Sequence, residues 1–389
     1  MKHIIIGAGP AGLTAAKTIR GQKEKDEILV ICPEEQVHAR NRLVQYLSGE
    51  KTAAQINFVE PGFFENNDIR WRKDTKVMEI RPSERRILLS DGTQECYDQL
   101  LIASGAYPAI PPVENLRQAG RVCGFRDMAD ADRILSQTAE GSQVVIIGSG
   151  LVGMDAAEAL LHQKRQVTVV EMAGRIIPLQ LDAYGASLFQ KAFEDHGASF
   201  ILGARVEKCL MDEEKNAVGI ALGDGREIPC DLVVVAAGVR PNCAFAEGAV
   251  EIDRGVRVDA RLCTSDPHIF AAGDVTGLTG TWLCAVEQGK IAGINMAGGS
   301  AFYQNAAPSR NGLHYFGRMA LSIGEMDPME DGHVLTREKN GSYQRAVVRE
   351  KRLVGMLLIG NIRAGNTWAG IIERGDEVPD GEDLFQLVP

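Results

Sequence analysis

The sequence predicts an α/β fold: two doubly wound domains built on one repeated unit, followed by a small α+β domain. Three observations predict it. An apolar strand, a glycine-rich turn, a helix and a second strand occur in that order at the start of the chain, and again with Gly148 lying 141 residues after Gly7. Short alternating strands with Asp-Gly turns follow each copy. After Gly299 the chain changes to alternating strands and a hairpin with no further glycine turn of this kind. The length, 389 residues, suits two or three domains at roughly 150 residues each.

Taken in order, Lys2–Ile6 reads as a short buried strand, 7–12 as a turn, 13–20 as the opening of a helix and Glu27–Ile31 as the next strand. The second copy runs through Gln143–Ile147, the turn 148–153, the helix 154–162 and the strand 166–170. Between the copies lie candidate strands at 76–80 and 86–90, joined through Asp91-Gly92, and Asp224-Gly225 marks a similar turn after the second copy. Two apolar strands, 100–105 and 232–238, end in glycine with prolines after them, which suits crossings between domains. The expected division is 1–107 and 236–307 as a discontinuous first domain, 108–235 inserted into it, and 308–389 as a C-terminal domain.

Composition narrows the function. Hydrophobic residues are 45% and charged residues 24%, near the globular average, which excludes a disordered chain. The 42 glycines exceed the roughly 7% average without a Gly-X-Y period, so tight turns should hold the excess. Lys plus Arg is 42 against 52 for Asp plus Glu, and a net charge of -10 argues against a nucleic-acid partner. No apolar run approaches the ~18 residues of a membrane span. The eight cysteines form no C-x-x-C pair, and the seven histidines have no ligand spacing, so no metal site is expected. Scattered single cysteines suit a reducing cytoplasm.

The glycine turns carry the chemistry. In Gly7-Ala8-Gly9-Pro10-Ala11-Gly12 the first glycine permits the tight turn, the second lets a pyrophosphate reach the backbone, and the third lets helix and strand pack closely. The free N–H groups at the helix start then hold phosphate. An acid about 20 residues on should accept the ribose hydroxyls; Glu34 and Glu35 lie 22 and 23 residues past Gly12. The second turn, Gly148-Ser149-Gly150-Leu151-Val152-Gly153, has Glu171 18 residues past Gly153. A carboxylate there accepts from a free 2′-hydroxyl and repels a 2′-phosphate, which favours NADH over NADPH; Arg175, four residues on, weighs the other way. Two Rossmann-like turns imply two dinucleotides.

With these residues in view, the whole chain resembles the two-dinucleotide-domain flavoprotein reductases. Residues 100–105 with Pro108 and Pro111 resemble that family's A-T-G-x-x-P-x-x-P crossover, and 236–242 its second crossover. Residues 264–275 resemble its second FAD segment, and 285–293 the helix under the flavin. The resemblance implies FAD on Gly7, Gly9, Pro10, Ala11, Gly12, Glu34 or Glu35, Arg40, Ser104, Gly105, Gly273 and Asp274, the aspartate contacting the ribityl chain. It implies NADH on Gly148, Gly150, Leu151, Val152, Gly153, Glu171 and Gly238. Arg40, Leu43 and Tyr46-Leu47-Ser48-Gly49-Glu50, with 353–360, are most similar to the rubredoxin reductase and NADH oxidase/nitrite reductase-like branch.

Three departures bear on activity. Residues 36–60 contain no cysteine, where the disulfide reductases and water-forming oxidases carry theirs, so a thiol relay is not expected. Gln45 stands where many ferredoxin reductases have a lysine, and Asp155 where the family's glutamate lies near the nicotinamide. Cys284 and Trp282 fall on the flavin-side helix and read first as packing residues. No protein side chain is required as a catalytic nucleophile or base. The resemblance implies a flavoprotein passing electrons from NADH to a small carrier such as rubredoxin or a ferredoxin-like iron–sulfur protein. The alternatives are a peroxide-forming NADH oxidase, the NADH-accepting subunit of an iron–sulfur complex, and an NAD-responsive redox sensor. Arg345, Val347 and Arg349 share a strand face, with Lys351 and Arg352 in the following turn, and this basic hairpin is expected to steer an acidic carrier.

Overall fold

A computed structural model describes residues 1–278, 280–304 and 308–388. The chain forms two compact units: Met1–Arg42, Lys51–Tyr107 and Val239–Asn305 make the first; Leu43–Glu50, Pro108–Gly238 and Ala306–Pro389 make the second. The expected boundary after residue 307 lies outside the described residues. The C-terminal segment groups with the second nucleotide segment, as does Leu43–Glu50.

The first unit is a five-stranded parallel sheet in the order Ile269–Ala271, Gln99–Ile102, Lys2–Ile6, Glu27–Ile31, Arg70–Arg72. Ile4, Ile5, Leu100, Leu101, Val30 and Ile31 are wholly buried, as expected for a parallel sheet covered on both faces. Helix Pro10–Gln22 has proline in its first turn, where the missing N–H costs nothing, and buries Ala11, Leu13, Ala15, Ala16 and Ile19. Helix Trp282–Met296 lies against it through glycines: a Cβ on Gly289 would stand 2.2 Å from the Ala11 carbonyl oxygen, and one on Gly293 2.8 Å from that of Ala15.

The second unit repeats the plan in the order Ser199–Leu202, Gln166–Glu171, Gln143–Ile147, Leu232–Val235, Val122–Cys123, all parallel. Its C-terminal part is a five-stranded antiparallel sheet in the order Arg310–Tyr315, Arg318–Gly324, Arg352–Ile359, Ser342–Arg349, Gly332–Lys339. Helix Gly365–Arg374 covers it with Trp368 and Ala369 fully buried. Both nucleotide helices start three residues earlier than the sequence suggests, at Pro10 and Leu151, because the third glycine of each turn lies inside the first helical turn.

Polar links bind the C-terminal sheet to the rest of this unit. Tyr315 Oη donates to Asp155 at 2.9 Å, and the Phe316 N–H to Glu158 at 2.9 Å. Asp182 caps helix Ala183–Asp195 by accepting from the Gly185 N–H at 2.9 Å, and also accepts from Tyr343 Oη at 2.5 Å. Asp182→Ala removes the cap and leaves a partly buried phenol unpaired, so it should cost about 3 kcal/mol in a urea unfolding series; a loss under about 1 kcal/mol would show that these links are dispensable.

The basic hairpin is corrected here. Arg345 is 8% exposed and donates to the Met326 carbonyl at 2.9 Å, with Asp182 3.7 Å away. Arg349 is paired with Glu325 at 2.9 Å and Asp331 at 3.2 Å. Val347 is fully buried. The face that was to steer a carrier is interior and neutralised, which leaves Lys351 and Arg352 exposed at the turn.

Among the described residues no helix is long and apolar enough to cross a membrane, and no group of three or more His, Cys, Asp or Glu could hold a metal ion. All eight cysteines are free.

Candidate functional sites

Each unit carries one glycine turn, at the carboxyl ends of its parallel strands, where open α/β sheets bind ligands. In the first, the Gly7 N–H donates to the Ile31 carbonyl at 2.8 Å, and Gly7 has φ +114°, open only to glycine. A Cβ on Gly7 would meet the Ala103 oxygen at 2.2 Å, and one on Gly12 the Gly7 oxygen at 2.0 Å. Gly9, between them, has nothing within 4 Å of its Cβ position. Two glycines are therefore forced by the backbone, while the middle one faces open space at the start of helix Pro10–Gln22. That is the cradle a pyrophosphate needs, so the residues fit a dinucleotide such as FAD.

The remaining expected residues of this unit surround the same edge. Glu34 is half-buried and accepts from Arg40 at 3.0 Å; Glu35 is exposed. Ser104 Oγ donates to the Asn242 carbonyl at 2.6 Å, and the Asn242 N–H to Gly105 at 2.9 Å, so the two crossover segments run side by side. Gly273 has φ +82°, and its Cβ would lie 3.1 Å from that of Ala11, which brings Gly273 and Asp274 to the glycine turn. Trp282 meets Phe58 edge-on at 4.8 Å, a packing role. Cys284 is half-buried in the first turn of its helix.

The second turn repeats the geometry. The Gly148 N–H donates to Val170 at 2.9 Å, and φ is +103°. A Cβ on Gly148 would meet the Ala236 oxygen at 2.5 Å, one on Gly153 the Gly148 oxygen at 2.0 Å, and one on Gly150 nothing within 4 Å. Leu151 and Val152 open the helix Leu151–His162, and Gly238 lies exposed beyond the strand Leu232–Val235. Glu171 ends the strand Gln166–Glu171, and its carboxylate is tied to the turn: it accepts from Ser149 N–H at 2.8 Å, Ser149 Oγ at 2.9 Å and Ala173 N–H at 2.8 Å. Arg175 instead donates to the carbonyls of Leu181 and Pro178, each at 3.0 Å. Arg175, four residues past Glu171, is thus held by its own loop.

Asp155, two residues past Gly153, receives the Tyr315 hydroxyl. Burial pushes its carboxyl up to about 7, helped by neighbouring Glu158 and opposed by the Tyr315 hydrogen bond. Gln45 sits half-buried on the short helix Leu43–Leu47, which is fastened within the second unit by Gln163 Nε2 donating to Ser48 at 2.8 Å and Tyr46 to Asp132 at 2.6 Å. Six thiols, those of Cys32, Cys123, Cys209, Cys230, Cys243 and Cys263, are pushed above the usual cysteine range by burial. Sequence reasoning did not single out Ser149, Glu158, Tyr315 or Gln288; the last stands one residue before Gly289, within the segment 285–293 that resembles the helix under the flavin.

Comparison with known proteins agrees with this geometry. The profile of the pyridine nucleotide-disulphide oxidoreductases matches residues 1–289, and that of the rubredoxin NAD+ reductase C-terminal domain matches 308–376. The NADH-dependent phenylglyoxylate dehydrogenase subunit epsilon of Aromatoleum evansii is 32% identical over 100% of this chain and 95% of its own length. The nitrite reductase [NAD(P)H] of Bacillus subtilis strain 168 is 27% identical over 99% of this chain, which spans about half, 49%, of that protein. Among solved structures, the NAD-dependent persulfide reductase from A. fulgidus superposes with a TM-score of 0.88 at 26% identity, over 96% of this chain and 77% of the other.

Proposed function

This chain belongs to the pyridine nucleotide-disulphide oxidoreductase family of NAD(P)H-dependent flavoproteins, and on that premise we propose that it holds FAD in its first unit, takes hydride from NADH in its second, and reduces an iron–sulfur or rubredoxin-like protein. The observation that carries this reading is the duplicated cradle, in which Gly9 and Gly150 face open space between glycines that the backbone forces. FAD is divided between 1–107 and 236–307, NADH lies on 108–235, and 308–389 serves the acceptor.

When bound, FAD accepts hydride from NADH and releases electrons singly, a conversion that nicotinamide does not offer. The chain supplies position and charge. The N–H groups at the starts of helices Pro10–Gln22 and Leu151–His162 hold the two pyrophosphates. Glu34 and Asp274 take hydroxyls of the first dinucleotide and Glu171 those of the second. Asp155 borders the nicotinamide with its carboxyl steadied by Tyr315. The proposed relay uses no thiol: 36–60 has no cysteine, and six of the eight thiols are raised by burial and are poor thiolates at neutral pH. Free cysteines throughout suit a reducing cytoplasm.

The match to a dehydrogenase subunit over the full chain favours a second reading, in which the acceptor is a permanent partner and this chain is the NADH-input subunit of a larger complex. Acceptor-dependent NADH oxidation over rubredoxin, ferredoxin, O2 and dyes separates the two. Fast reduction of a small carrier supports the first, co-purifying subunits with slow carrier reduction the second, and rapid O2 consumption with peroxide release would contradict both.

Nucleotide preference tests Glu171. Glu171→Gln removes the charge and keeps one oxygen for the Ser149 donors, while its amide nitrogen, a donor, no longer accepts from the Ala173 N–H. The ratio of kcat/KM for NADH over NADPH should fall roughly 5- to 100-fold. A wild type that already prefers NADPH overturns the assignment.

A further inference from the structure

Ser149 stands between the first two glycines of the second turn, and the turn itself does not ask for a hydroxyl there. The first turn is built the same way with Ala8 at the matching place, equally buried. Ser149 is 0% exposed. Its N–H donates to Glu171 Oε2 at 2.8 Å, and its Oγ to the same oxygen at 2.9 Å. The direction of the second bond is fixed, because a carboxylate only accepts. The Ser149 carbonyl accepts from the Ile177 N–H at 2.9 Å. Ser149 thus fastens the acid that ends strand Gln166–Glu171 and, through Ile177, the loop that follows it. Ile177 is wholly buried with φ +47°, a conformation that a β-branched residue resists and that surrounding contacts must maintain.

The consequence is a carboxylate with little freedom. A carboxylate offers about four lone-pair sites. Ser149 takes two on Oε2, and the Ala173 N–H takes one on Oε1 at 2.8 Å. Room remains at Oε1 for one hydroxyl donor. A 2′-phosphate brings negative charge and further acceptors instead. A mobile glutamate would swing aside from it, since a free side chain has other rotamers to adopt. Glu171 is half-buried and tied to the turn, so it stays to repel. The acid of the first unit is held differently: Glu34 pairs with Arg40, and no hydroxyl in its turn reaches for it.

We infer that Ser149 determines nucleotide specificity in the second unit: its hydroxyl locks Glu171 in the orientation that takes one ribose hydroxyl at Oε1 and turns away a 2′-phosphate. It acts through Glu171 and is a positioning residue. This rests on the assignment of NADH to that unit.

The test measures kcat/KM for NADH and for NADPH, with ferricyanide as acceptor, in the wild type, Ser149→Ala, Glu171→Gln and the double variant. Ser149→Ala removes the hydroxyl alone. Its NADH over NADPH ratio should fall roughly 3- to 20-fold, through a higher KM for NADH and a lower one for NADPH. In the Glu171→Gln background the same change should alter the ratio by less than about twofold, because no charge is left to aim. An unchanged ratio in Ser149→Ala overturns the inference. So does an equal fall in both backgrounds, which a merely structural loosening of the turn would give. If Ser149→Ala does not fold, Ser149→Gly, which adds no atom, decides. A wild type that prefers NADPH overturns the Glu171 assignment and this inference with it, a different result from an NADH preference that Ser149 does not affect.

Discussion

A Gly150→Val protein is expected to fold, to keep its FAD and to lose reduction by NADH. Gly150 has φ -67° and ψ -179°, a conformation any residue adopts, and nothing lies within 4 Å of its Cβ position. The side chain therefore costs the fold little, within about 0.5 kcal/mol for an exposed position. On the proposed assignment it fills instead the space through which a pyrophosphate would reach the N–H groups of helix Leu151–His162. The KM for NADH should rise by roughly 100-fold or more, with kcat/KM falling in step. Gly153→Ala gives the opposite pattern. Its Cβ would sit 2.0 Å from the Gly148 oxygen, a backbone atom that cannot move aside, so the protein itself should be destabilised by roughly 3 kcal/mol. Equal melting and equal NADH kinetics for Gly150→Val would show that the second turn holds no nucleotide.

The second large effect is on pH. Asp155 is pushed up to about 7, with burial as the main cause, while an unfolded aspartate titrates near 3.9. The folded chain then binds this proton more tightly than the unfolded one. The contribution of Asp155 to stability is most favourable below about pH 4 and declines as pH rises to about 7, by on the order of 2–4 kcal/mol. The groups facing it are the Tyr315 hydroxyl, which lowers the value, and Glu158, which raises it. Asp155→Asn keeps an acceptor for Tyr315 and removes the titration. Urea unfolding at pH 5 and pH 8 should show the variant gaining on the wild type at the higher pH by that order. An identical difference at both pH values would mean that Asp155 is ionised throughout.

Local pattern made the nucleotide framework legible. The strands Lys2–Ile6, Glu27–Ile31 and Gln143–Ile147 were read to the residue, since a buried parallel strand running into a glycine turn leaves an unbroken apolar run. The glycine spacing was equally readable, because the first and third glycines of each turn answer a steric demand of the backbone and the middle one leaves space for a ligand. What was not legible depended on partners distant in sequence. Arg345 alternates with neighbours as an exposed strand residue would, yet its carboxylate neighbour, Asp182, stands 163 positions earlier. Asp155 reads as a nicotinamide neighbour from its place after Gly153, but the hydroxyl on it comes from Tyr315, 160 residues on. Gln288 shows only in three dimensions, where its Oε1 accepts from the Gly273 N–H.

The central claim is that electrons pass from NADH to FAD and onward with no thiol between. Anaerobic titration of the purified yellow protein with NADH tests it most directly, following the flavin band to full bleaching. One NADH per FAD should suffice, before and after alkylation of accessible cysteines, because a chain without a redox-active thiol offers no second two-electron centre to fill. A requirement for two NADH per FAD that alkylation reduces to one would reveal a redox-active thiol and contradict the account.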